Sequence, residues 1–373
     1  FRGLSSGIGS GTTELHVVRP VLVSPDFIVL VLKSPHFIQT GIPLMTGTAG
    51  QKRVPAEYFG HSPFPLPPLA EQHRIVAKVE ELMALCDRLE AARAEREAAR
   101  DRLTAASLAR LNTPDPETFS DDARFALDVF PALTARTDQL DDLRRTIRRC
   151  AVMGRLVAQD VDEPAPPLPV LRQAADATRR LDFAIPSSWR WVRLSDVAEA
   201  RLGKMLDKAK NVGQLYPYLR NTNVHWFDIR TDDLKSIALA EHELDEYRLK
   251  HGDVLICEGG HGIGRTAVWR GDVENMVFQK ALHRVRPGSH LDPDFFALCC
   301  FVYFDTGVMQ TYFTGVGIPH FTGKALAQLV FPLPPIGEQR RIVAKARELM
   351  AMCDQLEGSL STAFTLRSRL LET

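Results

Sequence analysis

"FPLPPLAEQHRIVAKVEELMALCDRLE" occupies residues 64–90, and "FPLPPIGEQRRIVAKARELMAMCDQLE" occupies residues 331–357. Twenty of the 27 paired positions are identical, which marks an internal duplication. Each copy opens on a double proline, suited to a first helical turn, where a missing N–H costs nothing; Glu71 and Glu338 follow where the helix dipole favours a carboxylate. Ile75, Val76, Val79, Leu82, Met83, Cys86 and Leu89 then recur at spacings of three and four, as one apolar stripe. The second copy repeats the stripe with Ile342, Val343, Ala346, Leu349, Met350, Cys353 and Leu356, continued by Leu360, Ala363 and Leu370.

The repeat extends upstream. "LHVVRP" at 15–20 pairs with "LHRVRP" at 282–287, "SPDF" at 24–27 answers "DPDF" at 292–295, and Gly50 falls on Gly317. Asp292 and Pro293 predict an N-cap and a first helical residue. The body of the second copy, 185–335, reads as short strands and turns bounded by Gly, Asp and Asn, as in "GDVLICEGG" at 252–260. If the copies correspond, residues 1–68 are expected to be the C-terminal part of a first such domain. A helical spacer follows over 69–160. Its long first helix ends near the "NTPDP" at 112–116, and a return helix is expected at about 139–158, with Leu140, Leu143, Ile147 and Val152 as its stripe. A Pro-rich connector, "EPAPPLPV" at 163–170, lies within 161–184, and the second helix fills 336–373. The first helix is about 64 Å long at ~1.5 Å per residue, too long for a small core, so antiparallel coiled-coil pairing is the expected way to bury such stripes. The fold class is therefore α+β, with globular mixed domains separated by long antiparallel helices. A stripe of this kind also suits a plain spacer or dimeriser, and "FPLPP" also suits a polyproline ligand.

With 373 residues, 45% of them apolar, the chain can fill two or three cores. No run approaches the ~18 apolar residues of a membrane span, and no signal-peptide pattern is present. The cysteines, at 86, 150, 257, 299, 300 and 353, form no CxxC pair, so a reduced cytoplasm is the expectation and no metal site is indicated. Formal net charge is zero, so a polyanion would have to be met by local basic surface.

Domain, long helix, domain and helix, each domain ending on "PLPPxxEQxRIVxK", together resemble the specificity subunit of Type I restriction-modification systems. "LRRTIRRCAVMGRLVAQD" at 143–160 and "YPYLRNTNV" at 216–224 strengthen the resemblance, and against the family pattern the first domain is expected to lack its N-terminal portion here. The resemblance implies target-recognition domains that each read half of a split DNA sequence. It also implies helices that space them and dock two methyltransferase subunits, with endonuclease subunits joining. No catalytic residue is expected here; S-adenosylmethionine, ATP and Mg2+ would be used through the other subunits. Helix packing and docking are expected of Ile75, Val79, Leu82, Cys86 and Leu89, and of Ile342, Ala346, Leu349, Cys353 and Leu356.

Base edges call for forked polar side chains and phosphates for cations and free N–H groups. The second domain offers Lys204, Lys208 and Lys210; Arg220, Asn221 and Asn223; His261 and Arg265 among glycines; Gln279 and Lys280; and His320. The first copy offers Gln51, Lys52 and Arg53 where the second has "GVGIPH", as expected of two domains reading different half-sites. Each of these is also an ordinary surface or turn residue type.

Catalytic readings fare worse. "FTGVG" at 313–317 mimics a methyltransferase cofactor loop and "DPDF" its amine-gripping motif, but Asp294 replaces the second proline and the order is wrong. "GGHGIGR" lacks the GK[ST] of a phosphate loop, and "EHE" lacks the second histidine of a zinc motif. The rival to DNA recognition is a coiled-coil scaffold.

Overall fold

The computed structural model describes residues 15–47, 52–112, 118, 121–126, 136–160, 162–168, 181, 183–207, 211–271, 273–315 and 317–372. The chain forms two compact units, 1–99 and 100–373.

In the first unit, helices α1 (Pro25–Leu32), α2 (Pro35–Gly41) and α3 (Ala56–His61) precede the long α4 (Leu69–Asn112), whose last turns belong to the second unit. Ser24 and Ser34 cap α1 and α2, each accepting from the backbone N–H three residues on, with proline in the first turn. Phe27 is buried edge-on to Phe64. Gln72, at the head of α4, is 1% exposed: its Oε1 accepts from the Ser24 N–H at 2.9 Å and its Nε2 donates to the Pro67 carbonyl at 2.8 Å. One buried amide thus fixes the start of α4 against the start of α1.

The second unit repeats this joint. Helix α8 (Pro293–Asp305) is capped by Asp292, which accepts from the Asp294 and Phe295 N–H groups, as the sequence predicts. Gln339, in the first turn of α10 (Ile336–Glu372), accepts from the Asp292 N–H at 2.8 Å and donates to the Pro334 and His290 carbonyls, both at 2.8 Å. The "SPDF" and "DPDF" elements are therefore helix starts held by the glutamine of each "EQ" pair.

Between α4 and α10 the chain also builds the short helices α6 (Leu194–Val197), α7 (Glu241–Tyr247) and α9 (Gly323–Ala327) and strands β1 (Arg190–Arg193), β2 (Ala198–Leu202), β3 (Gln214–Leu219), β4 (Val224–His225), β5 (Asp228–Ile229), β6 (Lys235–Leu239), β7 (Val254–Cys257), β8 (Thr266–Val268), β9 (Val277–Phe278), β10 (Leu282–Pro287) and β11 (Val330–Leu333). They assemble as an antiparallel sheet β2-β10-β7-β8, a three-stranded sheet β6-β3-β9 with β3 parallel to β9, and the pairs β1-β11 and β4-β5. Valines, leucines and aromatics on the strands and on α8 make the core, with Trp189, Phe295, Phe296, Phe321 and Phe331 almost wholly buried.

Helix α5 (Thr137–Val152) stops earlier than expected. Gly154 at φ +73° ends it, and a Cβ there would meet Trp189 at 2.9 Å. Its contacts run in register with the last turns of α4: Gln139 with Asp101, and Thr146 and Cys150 with Asn112 and Leu111. It lies antiparallel to α10 instead, with Arg144 reaching Asp354 and Glu357 at 2.7 and 2.6 Å while its C-terminal Ala151 and Val152 share the core with Ile342 and Ala346. The stripe of α10 is therefore covered, with Ile342 0%, Ala346 3% and Cys353 1% exposed. The matching stripe of α4 is not covered by the described residues. Ile75 and Val79 are half-buried, but Leu82 and Leu89 are 48% and 62% exposed and Cys86 is exposed, so the expected burial of Leu82 is not met in the chain by itself.

Candidate nucleic-acid interface

The candidate contacts of the second unit come from sequence positions more than a hundred residues apart, and strand pairing gathers their backbones along one edge. Lys204 bridges Gln279, whose N–H donates to the Leu219 carbonyl one residue before Arg220. Gly203 is required there, because a Cβ would lie 2.3 Å from the Gln279 carbonyl oxygen. The β7–β8 connection, carrying His261 and Arg265, is tied by a bridge between Gly259 and His320 and by the Phe321 N–H donating to the Glu258 carbonyl at 2.7 Å. A Cβ on Gly260 would touch the Asn221 amide at 3.5 Å. The "FTGVG" motif lies in the hairpin between Thr314 and His320, not in a cofactor loop after a strand.

Within this edge the side chains divide by how their polarity is already used. Asn223 is 3% exposed: its Oδ1 accepts from the Arg220 N–H, and its Nδ2 donates to the Arg230 and Asp233 carbonyls, so it shapes the loop. Arg220 donates to the Asp233 carboxylate at 2.6 Å, and that hydrogen bond holds Asp233 below the usual carboxylate range. Lys204 pairs with Glu243, depressing that carboxyl too, and lies 5.6 Å from the Tyr247 ring. His320 faces the Glu258 carboxylate at 3.1 Å. Arg265 and the exposed Lys280 have no acidic partner among the described residues, and His261, four residues before Arg265, is exposed. Gln279 is half-buried and Asn221 is partly exposed. Lys208, Lys210 and Gln51 lie outside the described residues.

The first unit carries a reduced version of the same device. Thr46 and Arg53 exchange both backbone hydrogen bonds, at 3.0 and 2.8 Å, as Thr314 and His320 do at 2.9 and 2.8 Å. His16 Nε2 meets the Val54 carbonyl at 3.0 Å, and the corresponding His283 Nε2 meets the Phe321 carbonyl at 2.7 Å. A carbonyl only accepts, so both rings carry the proton on Nε2. Burial pushes His283 below the ordinary imidazole range, against the pull of its hydrogen bond to Phe321. Lys52 and Arg53 stand exposed at this hairpin.

Sequence reasoning missed Glu258 and Glu243, because nothing local links them to His320 and Lys204. It also passed over the glutamine of the "EQ" pair, although identity between the copies pointed to it. Burial raises the Cys257 and Cys300 thiols to about 12, which makes both poor nucleophiles.

The family described as the Type I restriction modification DNA specificity domain matches residues 186–362, which span β1–β11, the gathered edge and most of α10. The specificity subunit of the Escherichia coli Type I restriction enzyme EcoAI is 30% identical over 97% of this chain and 66% of its own length. The chain belongs to the Type I restriction-modification specificity-subunit family. Another family member, the EcoEI specificity subunit of the same species, is 28% identical, again over 97% of this chain and 66% of the relative. The chain thus spans about two thirds of the length of these relatives. The HsdS subunit of Thermoanaerobacter tengcongensis is similar at 21% identity and a TM-score of 0.44, over 94% of this chain and 70% of that one. A chain from a solved Type I assembly is similar at 20% identity and a TM-score of 0.47, over 94% and 69%. Among the described residues no single helix is long and apolar enough to cross a membrane.

Proposed function

We propose that this chain is the DNA-reading subunit of a Type I restriction-modification assembly and that it reads a bipartite duplex target. The observation that carries this reading is the gathered edge of the second unit. Arg265 and Lys280, cations with no acidic partner among the described residues, lie with exposed His261 on loops that strand pairing ties to the Thr314–His320 hairpin. Lysine and arginine supply phosphate attraction, and Arg, His and Gln supply base-edge donors. The first unit keeps the hairpin's fixings and changes its tip, which suits a second, different half-site. Domains in this reading are a recognition unit up to residue 68, a spacer over 69–160, a connector over 161–184, a second recognition unit over 185–335 and a docking helix over 336–373.

The two near-identical helix starts suit two copies of one partner, the methyltransferase subunit, with endonuclease subunits completing the assembly. Methyl transfer from S-adenosylmethionine and the ATP- and Mg2+-dependent steps belong to those subunits in this reading, and this chain catalyses neither. The test is the salt dependence of duplex binding by the full chain. Affinity should fall steeply and linearly on logarithmic axes between about 50 and 200 mM salt, through counterion release. A salt-independent or absent interaction overturns the reading and leaves the helical scaffold in its place.

A further inference from the structure

We propose that Ile318 determines one base of the second half-site through an apolar contact with the 5-methyl group of a thymine. This rests on the DNA-reading function above and adds to it a residue and a chemical target.

The hairpin that carries Ile318 is short and pinned on both flanks. Thr314 and His320 close it with two backbone hydrogen bonds, Gly259 pairs with His320, and Phe321 is anchored to the Glu258 carbonyl. Gly315 and Gly317 take φ of +106° and +98°, and a Cβ on Gly315 would lie 2.6 Å from the Ile318 carbonyl oxygen, so position 315 is restricted to glycine. Ile318 has 67% of its surface in solvent, on an edge whose other exposed groups include His261, Lys280 and His320. The fold covers only about a third of this β-branched apolar side chain, so most of its apolar surface is left for a partner. The thymine methyl is the apolar feature among the major-groove base edges, so it is the base group such a side chain can recognise.

Comparison within the chain isolates the same position. The backbone closure and the histidine anchor are repeated in the first unit, whereas Ile318 and Pro319 fall where the first copy has Gln51 and Lys52. What holds the tip is kept, and what the tip displays is exchanged.

The experiment uses the full chain with the methyltransferase subunits of its own system. Selection from a random duplex pool first defines the wild-type target. Each thymine of the second half-site is then replaced by deoxyuridine, which removes only the methyl. Wild type should bind about fourfold more weakly at one of these positions, the value of one buried methyl group. Ile318→Ala should bind the intact target more weakly by a similar factor, with no further loss at that deoxyuridine, while Ile318→Val keeps most of the discrimination. Equal losses for wild type and Ile318→Ala at every deoxyuridine, or a second half-site of G·C pairs alone, overturn the proposal while leaving DNA reading intact. A wild-type chain that selects no sequence overturns the DNA-reading function itself, and this proposal with it.

Discussion

Two glutamines and two histidines do the same work in both units. Gln339 is wholly buried and satisfies Asp292, His290 and Pro334 at once, and Gln72 serves Ser24 and Pro67 likewise. Replacing Gln339 with Ala strands three backbone groups, that of Pro334 buried and those of Asp292 and His290 partly so, and urea unfolding should show a loss of about 2–4 kcal/mol, well beyond that of one exposed hydrogen bond. His283 is held neutral by burial, its pKa below the ordinary imidazole range. The unfolded chain takes up a proton at the ordinary imidazole pKa while the folded chain resists it. Stability is therefore full above that range and lost as pH falls through it, so the melting temperature should drop between about pH 7 and pH 5. His283→Gln, whose side-chain N–H₂ can still donate to Phe321, should flatten part of that drop in a pH series of thermal melts.

At the scale of the element, two helices with nearly one sequence sit in different surroundings. The stripe of α10 is sealed by α5 and α8, and Ile342 is 0% exposed. Ile342→Asp places an unpaired carboxylate in the core and should cost about 3–5 kcal/mol, read as a large fall in melting temperature of the free chain. Leu82, on the matched stripe of α4, is 48% exposed. Leu82→Asp should change the free chain's stability by no more than about 0.5 kcal/mol. In the docking role proposed for α4, the same change should abolish co-purification with the methyltransferase subunits. Normal assembly of that variant removes α4 as a docking surface.

Across the whole molecule, a formal charge of zero means that any attraction for DNA is local. In the proposed DNA reading Arg265 and Lys280 are the clearest candidates, having no acidic partner among the described residues, whereas Lys204 and Arg220 are already engaged with Glu243 and Asp233. Lys280→Ala and Arg265→Ala should each lower the salt slope of duplex binding by about one. Lys204→Ala should change it less, because Glu243 already neutralises that lysine and leaves it less charge to offer a phosphate. Equal slope changes for Lys204 and Lys280 would reassign the ion pair with Glu243 as one that opens on DNA.

The sequence by itself determined what depends on near neighbours along the chain: the duplication, the proline-opened starts of α4 and α10, the Asp292 cap, the apolar stripes and the broad α+β class. Each follows from local backbone preference or helical periodicity, which a few residues set. Only the tertiary structure decided which stripe is covered, that α5 pairs antiparallel with α10, that Asn223 faces inward, and that Glu258 meets His320 across 62 residues of chain. Those outcomes depend on the path of the backbone between distant segments, where strand pairing and core packing bring side chains together that no sequence spacing relates.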